Sequence, residues 1–309
     1  MTRYILRRTA FIIFSLIGAT FLAFAASRLA PGNPVRLMAG EQNVAPEVIA
    51  AWEARYGLDQ PILIQYLYYV RNVLQGDFGT SYHYIGTPVM DLIGPAVWVT
   101  LRWESVALVA AIAVAVVLGV TAAVRHNTWV DTGAMFVAII GISLPDFVLA
   151  TFLVVIFALR LDWLPVAGYE TPAHFILPAI TLAVRPCALI SRMVRAAMLD
   201  VINQDYMRTA RAKGLNERAI VLRHGLSNAL LPVLTVVGVV VGRILAGSFI
   251  VETIFNIPGI GRVGVTAVLQ RDYPVILGAT IVLATAFLIT TLIIDLLYGV
   301  LDPRVRLTD

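Results

Sequence analysis

Long apolar runs separated by polar connections dominate this chain. A helix needs about 20 mostly apolar residues to cross the hydrocarbon core of a bilayer. Six runs approach or exceed this length, with boundaries set to within several residues: Thr9–Ser27, Thr100–Val124, Thr132–Leu159, Phe175–Ser191, Ala229–Ile250 and Val275–Ile294. The pattern therefore predicts an all-α polytopic membrane protein with about six transmembrane helices. The fourth run is the least regular, because Pro178, Arg185 and Pro186 interrupt it.

Composition places the chain in the same class. Of its 309 residues, 59% are hydrophobic and only 14% are charged, and the mean hydropathy is +0.84. These values lie outside the range of soluble globular domains. Cys187 is the sole cysteine, so an intrachain disulfide is excluded. The net charge of +4 is distributed by membrane side, which indicates topology and not a nucleic-acid partner.

Basic residues predict the orientation of the chain, because cytoplasmic loops of membrane proteins are enriched in Lys and Arg. With six spans, the following residues all fall on one side: Arg3, Arg7, Arg8, Arg125, Arg192, Arg195, Arg208, Arg211, Lys213, Arg218, Arg223, Arg304 and Arg306. The loop from Arg28 to Trp98 instead carries more acidic than basic residues. Both termini are therefore predicted to be cytoplasmic.

The first run, within residues 1–28, admits two interpretations. A basic start followed by an apolar stretch with Ala23-Phe24-Ala25 is compatible with a cleaved signal peptide. The uninterrupted stretch between Arg8 and Arg28 is longer than the roughly 7–15 residues of a signal-peptide core, which favours an uncleaved transmembrane helix.

Residues 29–99 are too many for a simple connection and predict a small extracytoplasmic subdomain. Pro46–Tyr56 is compatible with a helix, and Pro61–Leu74 contains Tyr66, Tyr68 and Tyr69. The subdomain is either a landing surface for an external partner or a lid that buries its tyrosines against its own helices. The rest of the chain, 100–309, forms the predicted membrane core and includes a cytoplasmic loop at 192–228.

That cytoplasmic loop contains a basic segment, DYMRTARAKGLNERAIVLRHGLSNALLP, from Asp205 to Pro232. Asp205 is a candidate N-cap, and Gly214 stands where a glycine commonly ends a helix. A helix of about two turns is marginal in water on its own and needs a neighbour or a partner to hold it. Tyr206 and Met207 offer apolar anchors and the basic residues offer a polar rim, so the segment is either a docking surface or an amphipathic helix on anionic lipid.

Several motifs of enzymes and nucleotide-binding proteins are missing from the sequence. It has no GxxxxGK[ST] phosphate loop, no HExxH and no CxxC, and its four histidines are scattered. Gly259, Gly261 and Gly264 spell GxGxxG, but a dinucleotide site requires a preceding strand. Residues Glu252, Pro258, Gly259 and Gly261 are instead predicted to form a tight gate-lining turn between the fifth and sixth helices.

Charged residues inside the apolar runs are the candidates for a substrate pathway. Arg185 and Arg243 lie near the middle of the fourth and fifth runs, and Asp146 follows Pro145 in the third. A guanidinium within a bilayer is costly unless it meets water, a partner or a counter-charge. Arg243 either lines the pathway and meets a substrate carboxylate, or forms a structural pair, for example with Asp146.

Gly238 and Gly242 form a GxxxG pattern in the fifth run. Such a pair favours close helix packing in lipid. The contact lies either within this chain or with a second subunit.

Motifs along nearly the whole chain carry a family resemblance. They are RTARAKGL with a following RHGLSNALLP, and YGLDQPILIQY, GDFGTSY and ETIFNIPGIGRVGVTAVLQRDYPV. Together, and in their order along the chain, they resemble the peptide-transport permeases, of the dipeptide, oligopeptide and nickel group, of bacterial ATP-binding-cassette importers. The resemblance implies the type I importer fold in the bacterial cytoplasmic (inner) membrane.

The resemblance also implies a coupling helix that inserts into a groove of an ATPase subunit. The family pattern Glu-Ala-Ala followed by Gly falls on Arg208, Thr209, Ala210 and Gly214, so Arg208 replaces the Glu. The residues expected to contribute to coupling are Asp205, Tyr206, Met207, Arg208, Thr209, Ala210, Arg211, Lys213 and Gly214.

The partners implied are a second homologous permease, two ATP-binding cassette subunits that hold ATP and Mg, an extracytoplasmic substrate-binding protein and membrane lipid. No metal and no cofactor is expected on this chain, and it is not expected to be an enzyme. The function implied is a permease subunit for di- or oligopeptides, with nickel complexes, glutathione and haem-like cargo also compatible. The alternative is a stand-alone secondary transporter, although the sequence lacks the internal repeat typical of that class.

Overall fold

The computed structural model describes residues 2–29, 47, 60–245 and 248–301. The side chains of residues 2–6, 231, 243, 245, 295 and 297–301 are not among those described. The predicted helix Pro46–Tyr56, apart from position 47, and the basic residues Arg304 and Arg306 lie outside the described residues.

Across the described ranges the secondary structure is helical, apart from an isolated bridge between Thr80 and Pro88. The α-helices are α1 (Thr2–Leu29), α2 (Ile62–Leu74), α3 (Val89–Val124), α4 (Trp129–Ser143), α5 (Asp146–Leu153), α6 (Ile176–Ile202), α7 (Asp205–Ala212), α8 (Glu217–Ala219), α9 (Ser227–Leu245), α10 (Phe249–Ile254), α11 (Ile260–Gln270) and α12 (Tyr273–Leu301). A π-helical stretch follows α5 at Val154–Arg160 and another follows α8 at Ile220–Leu226, and a short 3₁₀ turn, Pro172–Phe175, precedes α6.

Four described helical stretches are long and apolar enough to cross a membrane, namely Arg7–Leu29, Val89–Val124, Pro172–Ile202 and Tyr273–Ile294. Two bent pairs also qualify when each is counted as one span: Trp129–Ser143 with Asp146–Arg160, bent by 108°, and Glu217–Leu230 with Pro232–Gly242, bent by 59°. The all-α membrane class is confirmed, with four to six spans.

The third predicted run, Thr132–Leu159, is not one helix, because the chain breaks at Leu144 and Pro145. A residue before proline is pushed out of the α region, and Leu144 has φ −79° and ψ 126°. Proline also lacks the N–H that would continue the helix. The Pro145 carbonyl then accepts from Val148 and Leu149 and starts α5.

The fourth run is more regular than its sequence indicated. Helix α6 continues unbroken from Ile176 to Ile202 and so extends into the predicted 192–228 loop. Pro178 falls in the first turn, where a backbone N–H has no partner within the helix. Pro186 is accommodated inside the helix.

Inter-residue contacts divide the chain into two compact units, one of residues 2–100 and 258–286 and the other of residues 101–257 and 287 onward. In the first unit, α2 packs on α1 through Tyr66, which is buried against Phe21 and Phe24. The Tyr66 hydroxyl lies 2.7 Å from the Thr20 hydroxyl, while Tyr68 is exposed. The burial of Tyr66 favours the packing interpretation of this subdomain.

A buried carboxylate in the same unit fixes a loop. Asp272 accepts hydrogen bonds from the Ser81 hydroxyl, from the Tyr82 N–H at 3.0 Å and from the His83 N–H at 3.3 Å. Its side chain is nearly inaccessible to solvent. The carboxylate therefore satisfies three donors that would otherwise lose their partner.

In the second unit, α6 packs against α4, α5 and α9. Glycines on two neighbouring helices allow close approach to α6. A Cβ on Gly119 of α3 would lie 2.6 Å from the Ser191 carbonyl oxygen of α6, and one on Gly141 of α4 would lie 2.9 Å from Val184. These small residues bring the helix backbones together.

The GxxxG pattern of α9 packs within the chain. A Cβ on Gly238 would overlap the Ile294 Cγ2 of α12, whereas one on Gly242 would lie 3.6 Å from Phe287. The two alternatives left open by the sequence are therefore resolved for Gly238 in favour of an intrachain contact.

We predict that Gly238→Ala lowers the free energy of unfolding by about 1–3 kcal/mol, because the added methyl group overlaps Ile294. Titration with SDS in mixed micelles measures this change. Gly242→Ala is the matched control and should be neutral or stabilising by up to about 1 kcal/mol, since alanine favours helix. Ile294→Ala should restore stability to the Gly238→Ala variant; without such rescue the contact is not the cause.

We also predict that Asp272→Ala lowers the free energy of unfolding by about 2 kcal/mol or more, because it leaves buried hydrogen-bond donors without partners. Limited proteolysis should then cut near residues 81–84. Asp77→Ala, which removes a single exposed hydrogen bond to the Gly79 N–H, should change the cleavage rate little. Equal effects of the two substitutions would contradict the special role of Asp272.

Candidate functional site

The predicted coupling segment forms helix α7, with its end as expected and its start displaced. Gln204 occupies the N-cap position and Asp205 is the first helical residue, so the expectation that Asp205 caps the helix was wrong. Gly214 has φ +73°, and its N–H donates to the Arg211 carbonyl at 2.9 Å. The Leu215 N–H donates to the Ala210 carbonyl at 3.4 Å, which completes a Schellman motif.

One side of α7 is buried in the chain itself. Met207 and Ala210 pack with Ile220, together with Val201 and Ile202 of α6. Met207 is completely inaccessible, and its methyl group also comes close to Gly225 in the π-helical stretch. The expectation that Met207 is an exposed anchor for a partner is therefore corrected: Met207 and Ala210 attach α7 to the rest of its unit.

The opposite side of α7 is exposed and polar. We call it the α7 outer face and define it by Asp205, Arg208, Thr209 and Ala212, with Tyr206 at its edge. Arg208 lies 3.6 Å from Asp205, and both side chains are mostly exposed. Such loosely paired, accessible charges suit the rim of a protein contact.

Two further basic residues follow the outer face. Arg211 donates to Glu217 at 2.8 Å, so this ion pair closes the turn between α7 and α8. Lys213 is exposed at the C-cap position of α7. The helix thus ends in a turn that an ion pair closes, with the positive charge of Lys213 on its surface.

The predicted pathway residues Asp146 and Arg185 come together at the break between α4 and α5. Arg185 Nε lies 3.8 Å from Asp146 Oδ1, and Arg185 Nη2 donates to the Leu144 carbonyl at 3.4 Å. Both side chains are about one third exposed and line a cavity of about 230 Å³. Asp146 therefore pairs with Arg185; Arg243 lies in α9, and its side chain is outside the described set.

A buried carboxylate that the sequence interpretation missed lies in the same unit. Glu104 of α3 is fully inaccessible, and its Oε1 accepts from the Ser248 N–H at 2.9 Å. Glu252 of α10 is equally buried and lies near Glu104. The sequence does contain a signal for this residue, since Glu104 is a charged residue within a long apolar run.

The predicted gate turn is built differently from the expectation. Glu252 belongs to α10, Gly259 is the N-cap of α11, and Gly261 lies inside α11. Gly259 has an ordinary φ of −90°, so no glycine-specific backbone is needed there. The segment is a short connection between two helices, and Pro258 immediately precedes the N-cap of the second one. The element before the GxGxxG pattern is therefore a helix, whereas a dinucleotide site requires a strand there.

A second missed cluster joins α4 to α6. Arg195 donates to both oxygens of Asp131, at 2.5 and 2.7 Å, and Asp131 also accepts from the Asn127 N–H at 3.1 Å. His126 Nδ1 lies 3.1 Å from the same carboxylate. From the sequence, Arg195 was assigned only a topological role, because the two residues are 64 positions apart in the chain and local pattern does not reveal their pairing.

Comparison with known proteins gives the chain a family. Residues 115–307 match the model of the binding-protein-dependent transport system inner membrane component, and residues 1–92 match the N-terminal model of such membrane components. The chain is 40% identical over 307 residues to the dipeptide transport system permease protein DppB of Bacillus subtilis, with 99% of each chain covered.

Two further relatives match over the same extent. The chain is 40% identical over 310 residues to the glutathione transport system permease protein GsiC of Salmonella typhi, with 99% of each chain covered. It is 40% identical over 316 residues to the oligopeptide transport system permease protein AppB of Bacillus subtilis, covering 99% of this chain and all of the relative. These relatives do not favour a stand-alone secondary transporter. The chain is a multi-pass membrane protein and belongs to the family of inner membrane components of binding-protein-dependent transport systems.

Proposed function

We propose that this chain is the permease subunit of an ATP-driven importer of di- or oligopeptides and forms half of its translocation pathway. The observation that carries the proposal is the 40% identity, over essentially whole chains, to permeases named for dipeptide and oligopeptide transport. The glutathione permeases match equally well. All three named cargoes are short peptides, and we assign that class to this chain.

The complex that we propose has four kinds of component. This chain pairs with a second homologous permease, two ATPase subunits bind ATP and Mg, and an extracytoplasmic binding protein delivers the substrate. Both termini and α7 lie on the cytoplasmic side, as the distribution of basic residues supports. This chain itself holds no cofactor and hydrolyses nothing.

Helix α7 is the element that we propose for coupling. Its outer face docks on an ATPase subunit, while Met207 and Ala210 attach it to α6 and to the π-helical stretch at residues 220–226. Closure of the ATPase dimer would move α7, and the packed methionine would pass the movement to α6. The membrane helices then switch between inward-facing and outward-facing arrangements.

We predict that Arg208→Glu on the α7 outer face reduces copurification of the ATPase subunits at least tenfold, because it reverses a charge at the proposed contact. Immunoblotting of complexes isolated through a tag on this chain measures the loss. The thermal stability of the permease should stay unchanged, since the Arg208 side chain is largely exposed.

Arg125→Glu is the matched control, because it makes the same charge change on an exposed loop outside α7. It should leave copurification unchanged. Met207→Ala should instead destabilise the permease itself by about 2–5 kcal/mol, as expected for truncation of a buried methionine. If Arg208→Glu retains the ATPase subunits in full, docking through this face is wrong.

The function as a whole is tested by purifying the tagged chain from native membranes and reconstituting the complex in proteoliposomes. We expect ATPase subunits and a second permease to copurify, and the vesicles to accumulate a dipeptide only with ATP and the binding protein. Uptake by the chain alone without ATP would overturn the proposal.

A further inference from the structure

The Asp146–Arg185 pair has the geometry of an open ion pair. The separation of 3.8 Å between Arg185 Nε and Asp146 Oδ1 is too long for a hydrogen bond. Arg185 Nε is itself buried, and among the described residues it has no hydrogen-bond partner. The other nitrogens of this partly exposed guanidinium make one hydrogen bond among the described residues, from Nη2 to the Leu144 carbonyl at 3.4 Å, so N–H donors remain for a ligand.

The two charges also remain accessible from a shared cavity. The cavity is otherwise lined mainly by apolar side chains such as Leu182, Ile244 and Phe249, with Ser248 as a further polar residue. Its volume of about 230 Å³ is below the roughly 300–1,000 Å³ of typical ligand pockets. It can hold the charged groups of a passing substrate but not a large molecule.

The charges indicate the class of substrate. Among the described lining residues, Asp146 and Arg185 are the charged ones, one of each sign. A planar guanidinium with free donors is suited to a carboxylate, and a carboxylate is suited to an ammonium group. In surroundings of low polarity a neutral pair accepts a neutral zwitterion without adding net charge, whereas an ionic ligand of one sign would leave charge uncompensated.

We infer that Asp146 and Arg185 recognise the two charged ends of a zwitterionic short peptide, the terminal carboxylate at Arg185 and the terminal ammonium at Asp146. This inference rests on the proposed function. When the substrate binds, the loose contact between the two side chains is replaced by a contact of each side chain with one end of the peptide. When the peptide leaves, the pair neutralises itself again, so neither charge is left alone.

The test uses the reconstituted complex and three forms of one dipeptide: free, N-acetylated and amidated at the C-terminus. Initial uptake rates are compared as the ratio of variant to wild type for each peptide. Because the same binding protein serves both complexes, its own preference cancels from this ratio. Arg160→Gln, at an exposed arginine outside the cavity, is the control.

We predict a crossed pattern. Arg185→Gln should reduce uptake of the free and N-acetylated peptides about tenfold, the scale of one lost charge-assisted hydrogen bond, and affect the amide less. Asp146→Asn should reduce uptake of the free and amidated peptides and affect the N-acetylated one less. Arg160→Gln should leave all three ratios near one.

An equal loss for all three peptides in both variants would overturn the inference and leave the pair a purely structural role. Arg185→Lys covers the case in which Arg185→Gln fails to assemble, because it retains the positive charge. It should keep the wild-type order of the three peptides at a lower rate, and a changed order would count against the inference. If the wild-type complex takes up no peptide with ATP, the proposed function itself fails.

Discussion

The central part of this protein is organised around the helix break at Leu144 and Pro145, which leaves backbone groups without partners inside their own helix. Backbone groups freed by a broken helix must find partners, since lipid offers none. Arg185 of α6 supplies one by donating to the Leu144 carbonyl at the end of α4, and it places positive charge where the helix dipole is negative. Asp146 lies in the first turn of α5, where the dipole favours an anion. The same two side chains that stabilise the helix ends at this bend are also the charged groups that line the adjacent cavity.

Helix α6 links this bend to the proposed coupling element. It approaches Gly119 and Gly141 closely, binds Asp131 through Arg195, and ends against Met207 of α7. Packed helices of this kind transmit displacement because their interiors are dense and compress little. A movement of α7 would therefore reach the Asp146–Arg185 pair through one continuous helix, which provides a physical route between the proposed docking face and the proposed substrate contact.

The shortness of α7 explains why it has two chemically different sides. A two-turn helix is marginal by itself. Met207 and Ala210 hold it from within, and this leaves Asp205, Arg208, Thr209 and Ala212 available to a partner. The Schellman motif at Gly214 fixes where the helix ends, so the α7 outer face has a defined orientation. The predicted coupling residues therefore fall into two groups, those that attach α7 to its own unit and those that are accessible to a partner.

The amino-acid sequence was sufficient to predict the membrane class, the approximate spans, and helix α7 with its glycine end, because these follow from apolar length and local backbone preference. It also identified Asp146 and Arg185 as unusual, since charge within an apolar run is costly. The folded structure was needed to show that these two residues pair, that Met207 points inward, that Arg195 binds Asp131, and that Gly238 packs on Ile294. Those outcomes depend on contacts between residues far apart in the chain, and local pattern carries no information about which distant partner fills a given space or neutralises a given charge.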